Sequence, residues 1–455
     1  MSKFPRSVML LAFCAAAGAA AAEGKRTEIV IGASLPLTGA EAKAGARVRD
    51  GYELAFAEVM SKGGLLVGQQ RMPVRLKIVD DGTDRQRAAD LAADLVEKQG
   101  ADFLLGSFST PIIESQSAAA EKLKVPYVTS SGSASSLYQR GFKYLFSVSA
   151  PISQLATALM RWVDEEERAG NLPKPLRVAV AWENTAHGKD VRAGVATYVT
   201  NTPAHRGAFQ LVFDESFELN TKDFKALLGR IQGAKADVLL VDAHLQDYIT
   251  MHKQYVGMGM CHKVISYGAR GPEREAREAL PPGSNDYVVS AVWWDSQVGT
   301  NGLARSFVDA FQGKYGRLPE WYEALAYEAT RALFTAIERA GSVDRESVRE
   351  SLAALKMESI HARRQLAHHL PEDRPGEGSR GGKPAVLGDR RARPAVGRIV
   401  RLRYLFGERS ARRTIFPVAV SGSSGANSTM RGYSCAASRE RTCSCSSAAS
   451  AGPGA

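Results

Sequence analysis

The chain has 455 residues and a formal charge of +11 at pH 7, long enough for two or three ordinary domains. Such a surplus ordinarily raises nucleic acid or an anionic membrane as a partner, but here it sits in one place. Residues 361–455 hold 16 Arg and one Lys against six carboxylates, while the first 360 residues hold 42 basic and 42 acidic groups. A nucleic-acid role would rest on the tail alone, and no nucleic-acid partner is expected.

Residues 1–22 read as a secretory signal peptide. Lys3 and Arg6 form a basic start, residues 8–17 an apolar centre, and Ala20-Ala21-Ala22 a small-residue cleavage site before Glu23. The apolar run is short for a membrane span, and Phe13 is bulky where a lipid-attachment signal before Cys14 wants a small residue. An exported, periplasmic protein is expected. Past this leader and up to residue 360 the only cysteine is Cys261, so neither a disulfide framework nor a CxxC…CxxC zinc site is indicated. No metal or cofactor is expected.

Strand and helix patterns alternate from residue 27. Residues 27–33 (TEIVIGA) form a short β-branched run, and 48–61 follow with helical spacing. A strand over 74–79, a helix over 85–99, a strand over 103–105, a helix over 112–123 and a strand over 125–129 come next. This order implies a parallel sheet with helices on both faces and right-handed crossovers. The pattern restarts after 142–148, with strands over 176–181, 211–218, 236–242, 264–267 and 286–292 and helices over 188–199, 222–231 and 247–258. Long helices over 302–315 and 322–340 close the series. Two similar α/β units with late helices in need of a partner suggest two lobes crossed by the chain more than once: 27–148 plus 281–350, and 149–280.

From about His361 the periodicity stops and Arg, Gly, Pro, Ser and Ala dominate. The stretch 361–455 reads either as a disordered basic tail or as out-of-frame translation of GC-rich DNA, the second being preferred because Arg so outnumbers Lys. Its cysteines, Cys435, Cys443 and Cys445, would then be accidental.

Three strand ends carry small polar clusters: 32–39 (GASLPLTG), 106–111 (GSFSTP) and 129–135 (TSSGSAS). Ligands of open α/β sheets sit outside the carboxyl ends of strands. A helix N-terminus there offers free N–H groups suited to a carboxylate without any Arg. Ser109 and Thr110 would add hydroxyl donors, with Ser131 and Ser133 closing the site. One such cluster is ordinary turn chemistry; three on one sheet favour a binding site.

The same residues carry a family resemblance. Residues 29–39 (IVIGASLPLTG), 51–55 (GYELA), 79–82 (VDDG), 106–111 and 126–133, continued by 140–146 (RGFKYLF), 224–228 (FKALL) and 323–329 (EALAYEA), resemble the leucine/isoleucine/valine-binding proteins of ABC importers, type I periplasmic binding proteins. The resemblance covers roughly residues 27–360. It implies two Rossmann-like lobes with parallel sheets, joined by a hinge of three strands and closing on a small ligand. It also implies an importer permease as partner, capture of an amino acid or small organic acid, and a monomer. On its pattern Ser109 and Thr110 grip a ligand carboxylate, and Ser131 and Ser133 complete that site. His187 and His244 fall where amino-acid binders carry tyrosines. The acid that receives an α-ammonium group is expected near 268–270, where none stands; the nearest is Glu273. That departure argues against an ordinary α-amino acid. Arg270 would favour a second carboxylate, while Tyr267, Trp293 and Trp294 are candidates to flank an apolar group.

An exported enzyme would need a nucleophile–base pair or metal cluster at a strand end, and neither stands out, so no catalytic residue is expected; Cys261-His262 lacks an orienting acid nearby in sequence. A ligand-sensing partner of a membrane receptor would use the same clamshell. The family's second lobe ends in a terminal strand segment, which this chain is expected to lose near residue 361, leaving that edge unfilled.

Overall fold

A computed structural model describes residues 27–201, 207–297 and 301–360, together with the backbone of Arg364–Gln365 and Val418–Val420. The expected signal peptide and the tail cysteines lie outside the described residues, as does most of the tail.

Five parallel strands form the first sheet, in the spatial order Val74–Asp80, Ile29–Leu35, Phe103–Leu105, Tyr127–Thr129, Leu145–Ser147. Four parallel strands form the second, in the order Val264–Ser266, Val238–Asp242, Leu176–Glu183, Phe209–Phe217. The pattern expected for two α/β lobes is therefore present. Strands buried on both faces read as continuous apolar runs, and the second sheet shows how one run serves two cores. Val178, Val180, Val238 and Leu240 point to one face, and Ala179, Ala181, Leu239 and Val241 to the other, the two-residue period of a pleated strand.

In the first lobe, Ala42–Met60 and Trp321–Ala340 cover one face, and Arg85–Glu97 and Thr110–Lys122 the other. In the second, Ile152–Arg168 and Ala186–Ala196 lie on one face, and Lys225–Gly233 and Leu245–Gly257 on the other. The chain passes to the second sheet after Leu145–Ser147, and after its last strand Val264–Ser266 come Arg274–Ala279, Val289–Ala291 and the helix Gly302–Tyr315. No helix among the described residues is long and apolar enough to cross a membrane.

Several elements differ from expectation, among them the hairpin Leu65–Val67 and Gln70–Met72 and the helix Arg345–Ala353, neither of which was expected. The helix Ile152–Arg168 was not anticipated, although Ile152, Leu155, Leu159, Met160 and Val163 recur at helical spacing and are all buried. The first helix starts at Ala42, six residues before the expected 48, because its opening turn is built of small residues rather than large apolar ones. From the tail, Val418–Val420 pairs antiparallel with Val289–Ala291 in a two-stranded sheet apart from the second sheet.

Return of the late helix to the first lobe depends on close approach. At Gly51 of Ala42–Met60, an added Cβ would sit 2.5 Å from the Glu323 carbonyl oxygen and 2.7 Å from Ala326 Cβ. Both obstacles are backbone or buried core, so neither can swing aside. Gly51→Ala is expected to cost about 1–3 kcal/mol through overpacking, read as a lower denaturant midpoint with an unchanged slope.

Candidate functional site

The carboxyl ends of the two sheets face one cleft, and all eight residues singled out in the sequence line it: Ser109, Thr110, Ser131, Ser133, His187, His244, Tyr267 and Arg270. Counting its open mouth, the empty space of the cleft is about 500 Å³.

The first lobe contributes hydroxyls. Ser109 is the extended residue before the helix Thr110–Lys122, and its carbonyl accepts from Ile113 N at 2.9 Å. Its side chain makes no capping bond, and the helix N-terminus adds a positive dipole end. The second loop is fixed by Thr129, whose hydroxyl donates to Ser131 O at 2.9 Å and accepts from Ser131 N at 3.0 Å. Gly132 follows at φ +73°, where a Cβ would lie 2.7 Å from Ile113 Cγ2, so this turn requires glycine. Among the described residues, the hydroxyls of Ser109, Thr110, Ser131 and Ser133 have no protein partner.

The second lobe contributes charges that are already paired. His187 Nδ1 lies 2.8 Å from Asp242 Oδ2, and His244 Nδ1 hydrogen-bonds Glu183. Both acids end strands of the second sheet. Burial opposes charge on each imidazole, but the facing carboxylates prevail: His187 is raised by Asp242 and Glu183, and His244 is pushed up to about 9 by Glu183 and Glu41. Burial likewise opposes the charge of Glu183, and His244 and His187 hold it below the usual carboxylate range. Sequence reasoning found the histidines and missed the acids, although Asp242 is the last residue of the expected strand 236–242.

Arg270 corrects a second expectation. Its Nε donates to Ala243 O at 3.1 Å and its Nη1 to Glu273 Oε1 at 2.9 Å, with the Tyr322 hydroxyl beside it. The carboxylate it was expected to seek in a ligand comes from Glu273, three residues on. Tyr267 is buried with its ring against Tyr248, centroids 4.3 Å apart, and its hydroxyl toward His252. It is wall, not polar contact. Phe108, Trp293, Trp321 and Leu325 supply the apolar lining. Trp294 is core against Phe307, and Asp81 is fully buried, accepting from the hydroxyls of Ser34 and Ser107.

Behind the cleft, buried Arg47 of the helix Ala42–Met60 bonds Glu275 of the short helix Arg274–Ala279 and lies 3.0 Å from Glu320 and 3.2 Å from Glu323. Glu320 and Glu323 form the capping box of Trp321–Ala340. Burial pushes Glu320 up to about 7 against the pull of Arg47.

Glu183, His187 and Asp242 place donor atoms within 4.8 Å of one another, a spacing that could hold a metal ion. Each is engaged otherwise: Asp242 with His187, and Glu183 with His244 and the Thr185 hydroxyl.

The model of the periplasmic binding protein family matches residues 28–374. The chain belongs to that family. Among curated relatives of this periplasmic binding protein are Leu/Ile/Val-binding protein homolog 7 of Brucella abortus (strain 2308), 24% identical over 77% of this chain and 87% of the relative, and homolog 8 of the same strain, 23% identical over 72% and 80%. Among solved structures, the leucine-binding protein LivK of Thermotoga maritima superposes with TM-score 0.65 at 22% identity, covering 74% of this chain and 90% of that one. A Rhodopseudomonas palustris solute-binding protein in complex with benzoate gives 0.63 at 21%, covering 74% and 88%. The fold and the exported, periplasmic character of the family follow from these matches.

The ion pairs predict a pH profile. A histidine with a raised folded-state pKa stabilises fully below its unfolded value of about 6.5, and this contribution fades as pH rises through about 9 for His244. Glu183, held low, contributes above the ordinary carboxylate range and loses its contribution in acid. The Tm difference between wild type and His244→Asn is therefore expected to be largest near pH 6 and to shrink steadily toward pH 10, checked by thermal melts across that range.

Proposed function

We propose that this exported periplasmic binding protein captures a compact carboxylate-bearing solute between its lobes and delivers it to an ABC importer, acting as a monomer without turnover and without nucleic acid. The lobes are 27–148 plus 281–350, and 149–280. Ligand docks first on the unpartnered hydroxyls of Ser109, Thr110, Ser131 and Ser133 and the N-terminus of the helix behind them. Contacts with the second lobe exist only after closure, and the shift to the closed form cannot exceed that differential affinity.

The observation that carries the ligand class is the pairing within the second lobe's wall of the cleft. Asp242, Glu183 and Glu273 each have an internal cation, leaving none of these three to receive an α-ammonium group. The first lobe offers open donors, and the body of the ligand would lie among Phe108, Trp293 and Trp321. An acid with a flat or branched apolar body fits better than an amino acid, and benzoate answers this description.

The test is a thermal-shift screen of branched-chain amino acids, their amides, aromatic acids and dicarboxylates. At 100 times its Kd a ligand stabilises the protein by about 2.7 kcal/mol. A response to monocarboxylates lacking an α-amino group supports the reading, and a response to leucine instead overturns the ammonium argument. Ser109→Ala and Thr110→Val are each expected to weaken the responding acid by about 10- to 100-fold, the worth of a hydrogen bond to a charged group, measured by calorimetry. Because the three possible metal donors are committed to ion pairs, EDTA treatment is expected to leave the affinity unchanged.

A further inference from the structure

Two cavities meet at His244. The inner one is the cleft described above. The outer, about 780 Å³ counting its open mouth, is bounded by Glu41, Lys43, Asn220, Gln246 and Tyr322, and His244 lines both. The two imidazole nitrogens serve different lobes. Nδ1 is held by Glu183 of its own lobe, while Nε2 lies 3.6 Å from Glu41 Oε1 of the first lobe.

Glu41 is placed for this contact. It occupies the position before the helix Ala42–Met60 but makes no side-chain capping bond. Its backbone N–H is fastened to the Thr83 hydroxyl at 3.2 Å, which fixes the turn, and its side chain is only 15% exposed. The carboxylate reaches across the cleft mouth to a cationic face formed by His244 and, behind it, Arg270, both buried. A ligand seated on the hydroxyls of the first lobe with its far end toward His244 therefore meets a protein carboxylate. A second anionic group at that end would face the charge of Glu41, and a long tail would have to displace the Glu41–His244 contact to enter the outer chamber.

We propose that Glu41 is a specificity-determining residue. Its carboxylate, carried across the cleft to His244, shuts the inner chamber from the outer one and excludes ligands with a second anionic group or a long tail at that end. This rests on the reading of the inner cleft as the ligand site and deepens it. The ligand range is set by a residue of the first lobe outside the hydroxyl loops.

The experiment compares wild type, Glu41→Gln and Glu41→Ala by calorimetry with three probes: benzoate, terephthalate and 4-butylbenzoate. Wild type is expected to prefer benzoate over both longer acids by about tenfold or more, as expected when a like-charge or steric clash is built against the competitor. Glu41→Gln, which keeps the bulk and removes the charge, is expected to relieve the discrimination against terephthalate alone. Glu41→Ala is expected to relieve both. In stopped flow, Glu41→Gln is expected to raise the benzoate off-rate about tenfold with little change in on-rate, because the contact joins the two walls of the cleft. The same preference ratios in all three proteins, or equal wild-type binding of all three probes, overturn the proposal. If wild type binds none of the acids but Glu41→Ala takes the longer ones, the gate stands and the compact-acid reading falls. If no protein binds any probe, both are overturned.

Discussion

One buried guanidinium holds together the parts that must meet at the cleft. Arg47 leaves the first helix of the first lobe and finds carboxylates on the short helix Arg274–Ala279 and on the first turn of Trp321–Ala340. A charge this deep persists only when paired, and removing one partner of a buried ion pair typically costs about 3–5 kcal/mol. The helix so anchored begins with Trp321, in the cleft wall, and Tyr322, beside Arg270. The same anchor keeps Gly51 pressed against the carbonyl of Glu323. Ligand wall, lobe junction and helix crossing thus share one electrostatic root.

The two walls of the cleft divide the work of recognition by chemistry. The first lobe presents hydroxyls and helix N–H groups, which cost little to hydrate while the site stands empty. The second presents ion pairs between strand-end acids and histidines at the starts of the helices that follow, so opening the lobes leaves Asp242 with His187 and Glu183 with His244. Of the charge contacts in and behind the cleft, Glu41 to His244 and Arg47 to Glu275 join groups assigned to different lobes. Closure therefore changes the surroundings of these charges and of Arg270 and Glu273, which both meet the hydroxyl of Tyr322 from the first lobe. Its free energy is left to the ligand and to those contacts, as differential binding between two states requires.

Much of this was legible in the sequence because the signals were local. Alternating apolar runs and helical spacing marked both sheets, and the strands at Phe103–Leu105 and Val74–Asp80 fell within a residue of expectation. The hydroxyl clusters stood at strand ends, where parallel sheets place ligands, and all eight named residues reached the cleft. The acids were not legible as partners. Glu183 reaches His244 across 61 positions, and Arg47 reaches Glu275 across 228. Pairing at such separations is decided by which strand ends lie side by side, and spacing along the chain carries no trace of it. The error over Arg270 has the same origin: its open guanidinium in the sequence suggested a ligand carboxylate, and the fold supplied Glu273.

The aromatic lining has an optical consequence. Trp293 and Trp321 stand 4.7 Å apart, centroid to centroid, in the cleft wall, and the Arg270 guanidinium lies 5.8 Å over the Trp321 ring. Indole emission responds to local polarity and to neighbouring charge, so two of the chain's five tryptophans stand where an arriving solute displaces water. The molecule carries a built-in fluorophore pair at the proposed binding site, and there occupancy would be readable in a cuvette without any attached dye.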